Sequence, residues 1–315
     1  MKLNKILHNT GNKDERIPMF IDELDKLTGG LLVGGISVIA GRPAMGKTAF
    51  AMTVARNVGI MNKIPTAVLS LIEDEDYTAK RLLATQFGWK RTPSITLQPT
   101  PLTGEQKDKL AMLQRIGFEY QEPVVSEFLE KVKSAPVWIE HGMGMDMDEI
   151  VSRMERLKRE NDIKLLVIDS FGWIAPENTV AASESSMLKL INSAEKLRMA
   201  VLMTCDLTRA VETRGGCKRP ILSDLRDNAL IEKYSTLVMF LYRPEYYQIL
   251  EDECGSTLNK AYVIVAKNRR GNIGEVRLDF VDKARFDRPT YSPSDAESPF
   301  GIITPSTTNS DEVFF

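Results

Sequence analysis

The chain has 315 residues, enough to bury one or two hydrophobic cores. Charged residues make up 27% and hydrophobic ones 43%, which is typical of a globular protein, and the formal net charge of −2 excludes binding to nucleic acid through a strongly basic overall charge. No apolar run approaches the roughly 18 residues that a membrane span needs, and the polar first residues lack the apolar run of a signal peptide. We therefore expect a cytoplasmic protein without a membrane partner.

The cysteines give no indication of a metal site. Cys205, Cys217 and Cys254 form no CxxC pair and have no histidine at a spacing suited to zinc. We expect them to be unpaired thiols in a reducing compartment.

Strands and helices alternate along most of the chain. Apolar runs predict buried strands at Ile36–Ala40, Thr66–Ile72, Val137–Glu140, Lys164–Asp169, Ala200–Cys205, Leu237–Tyr242, Lys260–Ala266 and Glu275–Phe280. Helical patterns lie between them at Ala49–Val58, Asp76–Phe87, Glu105–Ile116, Pro123–Lys133, Met147–Asn161 and Glu184–Leu197. This alternation indicates an α/β fold with a mostly parallel sheet flanked by helices, and the hairpin-like loop Lys267–Gly274 predicts antiparallel strands at its C-terminal end.

The composition divides the chain into three regions. Residues 1–16 are predicted to form a polar arm, residues 17–290 a single domain, and residues 291–315, rich in Ser, Thr, Pro and acids, a disordered tail. Within the domain, residues 207–222 combine Arg, Gly, Pro and Thr and are predicted to form an exposed loop.

A glycine-rich loop separates the first predicted strand from the helix after it. Residues 41–48 read GRPAMGKT and match the pattern GxxxxGK[ST], whose glycines turn backbone N–H groups toward phosphates. The lysine of this pattern reaches the β and γ oxygens and the hydroxyl binds Mg²⁺. A chance match is disfavoured by the strand before the loop and the helix after it. The residues predicted to bind a nucleoside triphosphate are Gly41, Arg42, Pro43, Ala44, Met45, Gly46, Lys47 and Thr48.

An aspartate at the end of a second buried strand is a candidate magnesium ligand. Lys164–Asp169 places four apolar residues before Asp169, where a sheet of this kind holds the carboxylate that binds a Mg²⁺-bound water. Taken alone, the pattern fits a strand that ends in a turn-forming aspartate. The phosphate loop upstream favours the metal role, with Thr48 and Asp169 as the metal-binding pair.

Several stretches resemble a known family. Phe20–Leu31 and the loop at 41–48 are similar to the entry of a RecA-type ATPase core. Four further stretches resemble the C-terminal motor domain of DnaB-type replicative helicases, and they are Thr208–Glu212, Arg219–Asp227, Val238–Tyr247 and Ala266–Gly271. The resemblance implies a RecA-like P-loop fold, ATP as the nucleotide, assembly into a hexameric ring with nucleotide sites between subunits, and movement along single-stranded DNA.

The resemblance also implies roles for individual residues. Lys267 and Arg269 match the basic pair that reaches the γ-phosphate held by a neighbouring subunit, where a guanidinium stabilises transition-state charge; alternatively they belong to a solvated basic hairpin. The residues that match or adjoin the DNA-contacting loop are Arg209, Arg214, Arg226, Asp227 and Ala229. Lys218 and Arg219 extend this basic cluster, which otherwise fits a solubilising surface loop.

The candidate catalytic carboxylate departs from the family pattern. The family places a water-activating glutamate directly after Ser70-Leu71, but Ile72 stands there and Glu73 follows. Adjacent strand positions point to opposite faces. Glu73 therefore activates water only if the strand ends or bulges before it; the alternative is a slow or inactive hydrolase.

Three other departures affect nucleotide sensing, the DNA loop and assembly. Asp206 stands where the family has a γ-phosphate-sensing glutamine, and a carboxylate there repels a triphosphate unless it is metal-bound or protonated. Ala229 replaces a glycine and allows fewer backbone conformations. The family's N-terminal collar, used for ring stability and primase contact, has no counterpart in residues 1–16, which are too few for an independent fold.

The leading functional hypothesis is an ATP-dependent helicase or translocase that acts on single-stranded DNA as a homo-hexamer with other replication proteins. The alternative is a nucleotide-binding regulatory or assembly protein of the same fold with weak or lost hydrolysis, motivated by Ile72 and Asp206. Recombinase-like strand exchange is a weaker third hypothesis, because residues 219–227 and 238–247 resemble the helicase branch.

Overall fold

The structure is a computed structural model that describes residues 15–87, 130–174, 180–215 and 218–288. Most of the predicted arm, the predicted helix Glu105–Ile116, most of the predicted helix Pro123–Lys133 and the predicted tail lie outside these ranges. No helix in the described ranges is both long and apolar enough to cross a membrane.

Strands and helices alternate as the sequence predicts. The strands are β1 Arg16–Ile17, β2 Leu31–Leu32, β3 Ile36–Gly41, β4 Thr66–Ser70, β5 Val137–His141, β6 Leu165–Asp169, β7 Ala200–Asp206, β8 Leu237–Tyr242, β9 Glu251–Asp252, β10 Gly255–Ser256, β11 Lys260–Asn268, β12 Gly274–Val281 and β13 Arg285–Asp287. The helices are α1 Asp22–Thr28, α2 Lys47–Ala55, α3 Glu75–Phe87, α4 Met147–Asn161, α5 Val180–Leu197, α6 Ala210–Thr213 and α7 Ala229–Tyr234.

Nine of the strands in the described part of the chain form one sheet, in the order β13-β12-β11-β8-β3-β7-β6-β4-β5. The six strands from β8 to β5 run parallel, and β11, β12 and β13 join antiparallel at one end. This confirms the predicted fold class. It also places the carboxyl ends of the parallel strands, where the loop after β3 and the segment after β7 begin, along one edge of the sheet.

Two hydrophobic clusters cover the two faces of the sheet. Phe50 and Val54 of α2 and Leu82 of α3 pack on one face with Ile39. Residues of α4 and α5 pack on the opposite face with Val38, the strand neighbour of Ile39. Alternate side chains of each buried strand therefore face different helices, which explains why the central strands are apolar at every position.

The strand β4 ends two residues earlier than its apolar pattern predicts. The sequence predicts a strand to Ile72, but the ladder stops at Ser70. The N–H of Leu71 donates to the carbonyl of Asp169 at 2.7 Å, and the chain then bends before α3. Leu71 is still buried. The apolar pattern of the sequence therefore does not predict where the hydrogen-bonded ladder ends.

Three other features differ from the predictions. The predicted loop at 207–222 contains the short helix α6. The edge strand β13 was missed because it is three residues long, although its Phe286 packs against Phe50 and Phe280 with ring centroids 5.7 and 4.6 Å apart. The helix after the phosphate-loop motif ends at Ala55 and continues as a π-helical turn at Arg56–Met61.

The described cysteines form no disulfide, as the sequence predicts. Cys205 and Cys254 are thiols, and Cys217 lies outside the described ranges. Burial, reinforced by the charge of Asp206, raises the pKa of Cys205 to about 12. Its thiol is therefore neutral, and it packs in the hydrophobic cluster with residues of α4 and α5.

Candidate functional site

The loop between β3 and α2 adopts a conformation that requires glycine. Gly46 has a φ of 99°, in the left-handed region. A Cβ at this position would lie 3.1 Å from Phe286 and 3.2 Å from Phe280. Aromatic residues of the last two strands therefore hold the loop from one side, and only glycine fits between them.

The loop leads directly into the N-terminus of α2, whose first backbone N–H groups precede the helical ladder. The N–H groups of Gly46, Lys47 and Thr48 donate to no carbonyl within the described ranges, whereas Phe50 begins the helical ladder by donating to Gly46 at 2.9 Å. Free N–H groups and the positive end of the helix dipole favour an anion at this point. The geometry is that of a phosphate site.

A buried carboxylate lies beside the hydroxyl of Thr48. The Thr48 hydroxyl donates to Asp169 Oδ1 at 3.2 Å, and the hydroxyl of Thr204 on β7 donates to the same oxygen at 2.5 Å. Burial raises the pKa of Asp169 above its usual value, although both hydroxyls oppose the shift. Among the described residues, no cationic side chain bonds Asp169 directly, so a metal ion would stabilise this desolvated carboxylate.

The amine of Lys47 contacts a carboxylate from the neighbouring strand. Its Nζ lies 2.7 Å from Asp206 Oδ1 and donates to the carbonyl of Arg42 at 3.1 Å. Asp206 is paired in register with Gly41, so β7 delivers its side chain to the start of the loop. The Lys47 side chain is 10% exposed and that of Asp206 is 52% exposed.

The early end of β4 turns Glu73 toward the site. Its carboxylate receives two hydrogen bonds from Arg81 on α3, at 2.6 and 2.7 Å. Glu73 and Asp169 are close enough for the charge of Glu73 to raise the pKa of Asp169. Burial alone would lower the pKa of Arg81, but the hydrogen bonds and charge of Glu73 raise it. Glu73 is therefore an oriented carboxylate next to Asp169.

The loop is also tied to the segment that follows β7. Arg42 donates from Nε to Glu212 Oε1 at 2.8 Å and from Nη1 to the carbonyl of Leu207 at 2.7 Å. The N–H of Leu207 donates back to Gly41 at 3.2 Å. Since Glu212 lies on α6, a direct chain of contacts joins the phosphate loop to the predicted DNA-contacting segment.

Most described basic side chains of that segment are engaged within the fold. Arg214 bonds Asp224 at 3.2 and 3.3 Å and the carbonyl of Arg219 at 2.6 Å. Arg219 pairs with Glu275 and lies over the rings of Tyr242 and Tyr262, and Lys218 donates to the carbonyl of Glu212 at 2.9 Å. In contrast, Arg209 is exposed.

The second half of the same segment is a 3₁₀ turn at Leu222–Asn228 that runs into α7. Arg226 and Asp227 lie in this turn, and their side chains are outside the described part of the structure. Ala229 is exposed and has φ −54° and ψ −28°. These are ordinary helical values, so the residue that replaces the family's glycine is unstrained here.

Lys267 and Arg269 lie at the opposite edge of the sheet. Because β11 is antiparallel to β8, the C-terminal end of β11 meets the amino ends of the parallel strands, and the N–H of Arg269 donates to Thr236 at 2.9 Å. Both side chains donate to the backbone carbonyl of Lys233 near the end of α7, and Lys267 also donates to the backbone carbonyl of Glu232. Burial and the charge of Arg269 lower the pKa of Lys267.

The structure thus brings together most of the predicted site and separates two members from it. The loop residues, Thr48, Asp169, Asp206 and Glu73 meet at the carboxyl edge, whereas Lys267 and Arg269 do not. The sequence interpretation missed Arg81, Thr204 and Glu212. Only Arg81 carried a signal, because it lies on the predicted helix Asp76–Phe87, which begins three residues after Glu73.

Comparison with known proteins identifies the family. Residues 17–288 match the model of the DnaB-like helicase C-terminal domain. The chain is 29% identical over 280 residues to the replicative DNA helicase DnaC of Bacillus subtilis and 32% identical over 273 residues to the replicative DNA helicase DnaB of Haemophilus influenzae. These alignments cover 87% and 84% of this chain but 57% and 53% of the relatives, so the chain spans about half the length of the curated relatives it matches.

Solved structures support the same assignment. One solved ATPase domain superposes with a TM-score of 0.69 at 28% identity, covering 91% of this chain and 95% of that domain. A DnaB-like replicative helicase, whose structure was described with its interactions with primase, gives a TM-score of 0.70 at 26% identity and covers 91% of this chain and 66% of that one. The chain belongs to the family of DnaB-like helicase C-terminal domains.

Proposed function

We propose that the chain is an ATP-dependent motor that moves along single-stranded DNA as a ring and acts as a helicase. The observation that carries this proposal is the position of Lys267 and Arg269 at the sheet edge opposite the phosphate loop. Within one chain they cannot complete the site, whereas in a head-to-tail ring they face the loop of a neighbour. We expect the protein to work in the cytoplasm, where its proposed substrate lies.

The residues at the carboxyl edge fit ATP with Mg²⁺. The free N–H groups at the start of α2 and the amine of Lys47 suit phosphate oxygens. Thr48 and Asp169 supply the hydroxyl and carboxylate oxygens that Mg²⁺ prefers. No group of three or more His, Cys, Asp or Glu in the described ranges could hold a metal alone, so the remaining ligands would be water and nucleotide. When bound, the cation would offset phosphate charge.

We assign Glu73 the orientation of the attacking water. Arg81 donates to both carboxylate oxygens of Glu73, which fixes the orientation of the side chain. A fixed carboxylate beside the phosphate site can accept a proton from water. Lys267 and Arg269 of a neighbouring copy would stabilise the charge that develops on the phosphate oxygens.

The segment after β7 is the proposed DNA contact. Arg209 and Arg214 follow β7, which ends at the same sheet edge as the phosphate loop, and Arg226, Asp227 and Ala229 lie further along the same segment. The exposed Arg209 suits sequence-independent contact with DNA phosphates. Contacts of this kind, repeated around a homo-hexamer, concentrate basic groups on one surface of a chain whose net charge is −2.

The proposed motor domain is flanked by two further regions. We assign residues 1–16 to a polar arm, residues 17–290 to the motor domain and residues 291–315 to a disordered tail. Other replication proteins are proposed partners. The names of the relatives favour a motor over a regulatory protein with lost hydrolysis.

The experiment that tests the motor compares ATP hydrolysis by the purified chain with and without a single-stranded oligonucleotide. We expect stimulation by the single strand and less by a blunt duplex of the same length. Electron microscopy of the same sample should show closed rings. Absence of hydrolysis with single-stranded DNA, at concentrations where rings are seen, contradicts the proposal.

A further inference from the structure

A carboxylate is in direct contact with the lysine that the phosphate-loop motif reserves for a nucleotide. Asp206 Oδ1 lies 2.7 Å from Lys47 Nζ, and the carbonyl of Arg42 accepts a second hydrogen bond from the same amine at 3.1 Å. An ammonium group has three donors. Two of the three are therefore directed to groups of this chain, and the stronger of these partners carries a full negative charge.

The other cations around the loop are paired in the same way. The guanidinium of Arg42 is bonded to Glu212, and that of Arg81 is bonded to Glu73. Asp169 adds a buried carboxylate whose described partners are the hydroxyls of Thr48 and Thr204. The site therefore holds one more carboxylate than cationic side chains, which opposes the attraction of the α2 N–H groups for a strongly negative ligand.

We propose that Asp206 makes nucleotide binding at this loop strictly dependent on a divalent cation, because its carboxylate competes with phosphate oxygens for Lys47. The proposal rests on the proposed function and names a determinant of cation dependence in the same site. Without a cation, the phosphates approach the carboxylates of Asp206 and Asp169 and a lysine that is already ion-paired with Asp206. With a cation, the added positive charge offsets both the phosphates and Asp206.

The neutral side chain of asparagine tests this directly. Asparagine has the shape of aspartate and keeps an oxygen that can accept from Lys47, but it carries no charge. In the Asp206→Asn variant, Lys47 therefore keeps its position and regains its full attraction for phosphate. The family has glutamine at this position. We expect the Asp206→Gln variant to behave like Asp206→Asn.

The measurement is the affinity of each protein for a fluorescent ATP analogue, in excess EDTA and in Mg²⁺. For the wild type we expect tight binding in Mg²⁺ and a loss of about 100-fold or more in EDTA. For Asp206→Asn we expect the affinity in EDTA to rise about tenfold, with a much smaller change in Mg²⁺. A thermal melt of each variant checks that it is folded.

Asp162→Asn is the matched control. Asp162 is an exposed carboxylate that also pairs with lysine, but it precedes β6 and so lies at the edge opposite the loop. Its substitution should leave both affinities unchanged. If Asp206→Asn binds the analogue in EDTA no better than the wild type does, the inference is wrong. If the wild type binds no nucleotide in Mg²⁺, the proposed function itself fails, and the inference with it.

Discussion

The two edges of the parallel sheet hold two parts of one proposed site, and they are built differently. At the carboxyl edge, Lys47 and Asp169 are largely buried, and each is bonded by a side chain from β7. At the amino edge, Arg269 is exposed and its side chain donates to the backbone carbonyl of Lys233 near the end of one short helix. In the proposed site, the first edge offers its groups to a ligand within one chain, whereas the second acts only on the ligand of a neighbour.

The difference in burial has an electrostatic consequence. Charges in a desolvated site act strongly on a bound ligand, while exposed charges are screened by water and salt. Arg269 therefore contributes little to a single chain in solution. It would act on phosphate only after an interface excludes water around it, which couples hydrolysis to assembly.

The largest effect is expected at the carboxyl edge. Lys47→Ala removes a charge-assisted contact with phosphate, so we expect nucleotide affinity to fall about 100-fold and hydrolysis to be lost. Equilibrium titration with a fluorescent ATP analogue measures the first effect, with Lys196→Ala on the exposed face of α5 as the control. If Lys47→Ala binds the nucleotide as tightly as the wild type does, the loop is not the nucleotide-binding site.

A change at the amino edge should separate binding from turnover. Arg269→Ala is expected to leave the nucleotide affinity of the single chain unchanged and to lower hydrolysis by the assembled protein about 1000-fold, since a guanidinium supplied in trans acts on the transition state. Arg270→Ala, at the next position, is the matched control. Weaker nucleotide binding by monomeric Arg269→Ala contradicts the assignment to a neighbour's site.

Substitution of Glu73 tests whether the carboxyl edge takes part in hydrolysis as well as in nucleotide binding. Glu73→Gln keeps the size of the side chain but removes the proton acceptor, so we expect hydrolysis to fall about 100-fold with nucleotide affinity little changed. Glu75→Gln, whose carboxylate instead accepts from the N–H of His141 at 3.0 Å, serves as the control. Equal rates for Glu73→Gln and the wild type favour a chain that binds ATP without using Glu73 for turnover.

The smallest expected effect concerns Arg209, the exposed arginine of the proposed DNA-contacting segment. Arg209→Ala should weaken single-stranded DNA binding by a few-fold and lower the slope of log affinity against log salt by about one per chain. Fluorescence anisotropy over a series of salt concentrations measures both quantities. The same slope in Arg209→Ala and in Lys196→Ala indicates that Arg209 contacts no DNA phosphate.

The carboxyl edge was largely predictable from sequence, because its features are local. The strand before Gly41, the glycine at Gly46 and the apolar run before Asp169 each follow from a short pattern, and the order of the strands places them at one edge. The side-chain partners were not predictable. That Arg81 holds Glu73 and Asp206 contacts Lys47 depends on which strands are neighbours.

The residue at which β4 ends decides which way the Glu73 side chain points. A continuous strand to Ile72 would have turned Glu73 away from its required face. The bond from Leu71 to the carbonyl of Asp169 on β6 accompanies the end of the ladder, and this contact joins strands nearly 100 positions apart in sequence. A local hydrophobic pattern contains no information of that kind, so the position of Glu73 had to come from the structure.

Mixing two inactive variants tests the division of the site between copies most directly. Lys47→Ala retains Lys267 and Arg269, and Arg269→Ala retains the phosphate loop. In rings assembled from equal amounts of both, about one quarter of the interfaces combine an intact loop with an intact basic pair. We predict that the mixture recovers DNA-stimulated ATP hydrolysis that neither variant shows alone. Activity that stays at the level of the separate variants, in rings shown to contain both, would contradict the account.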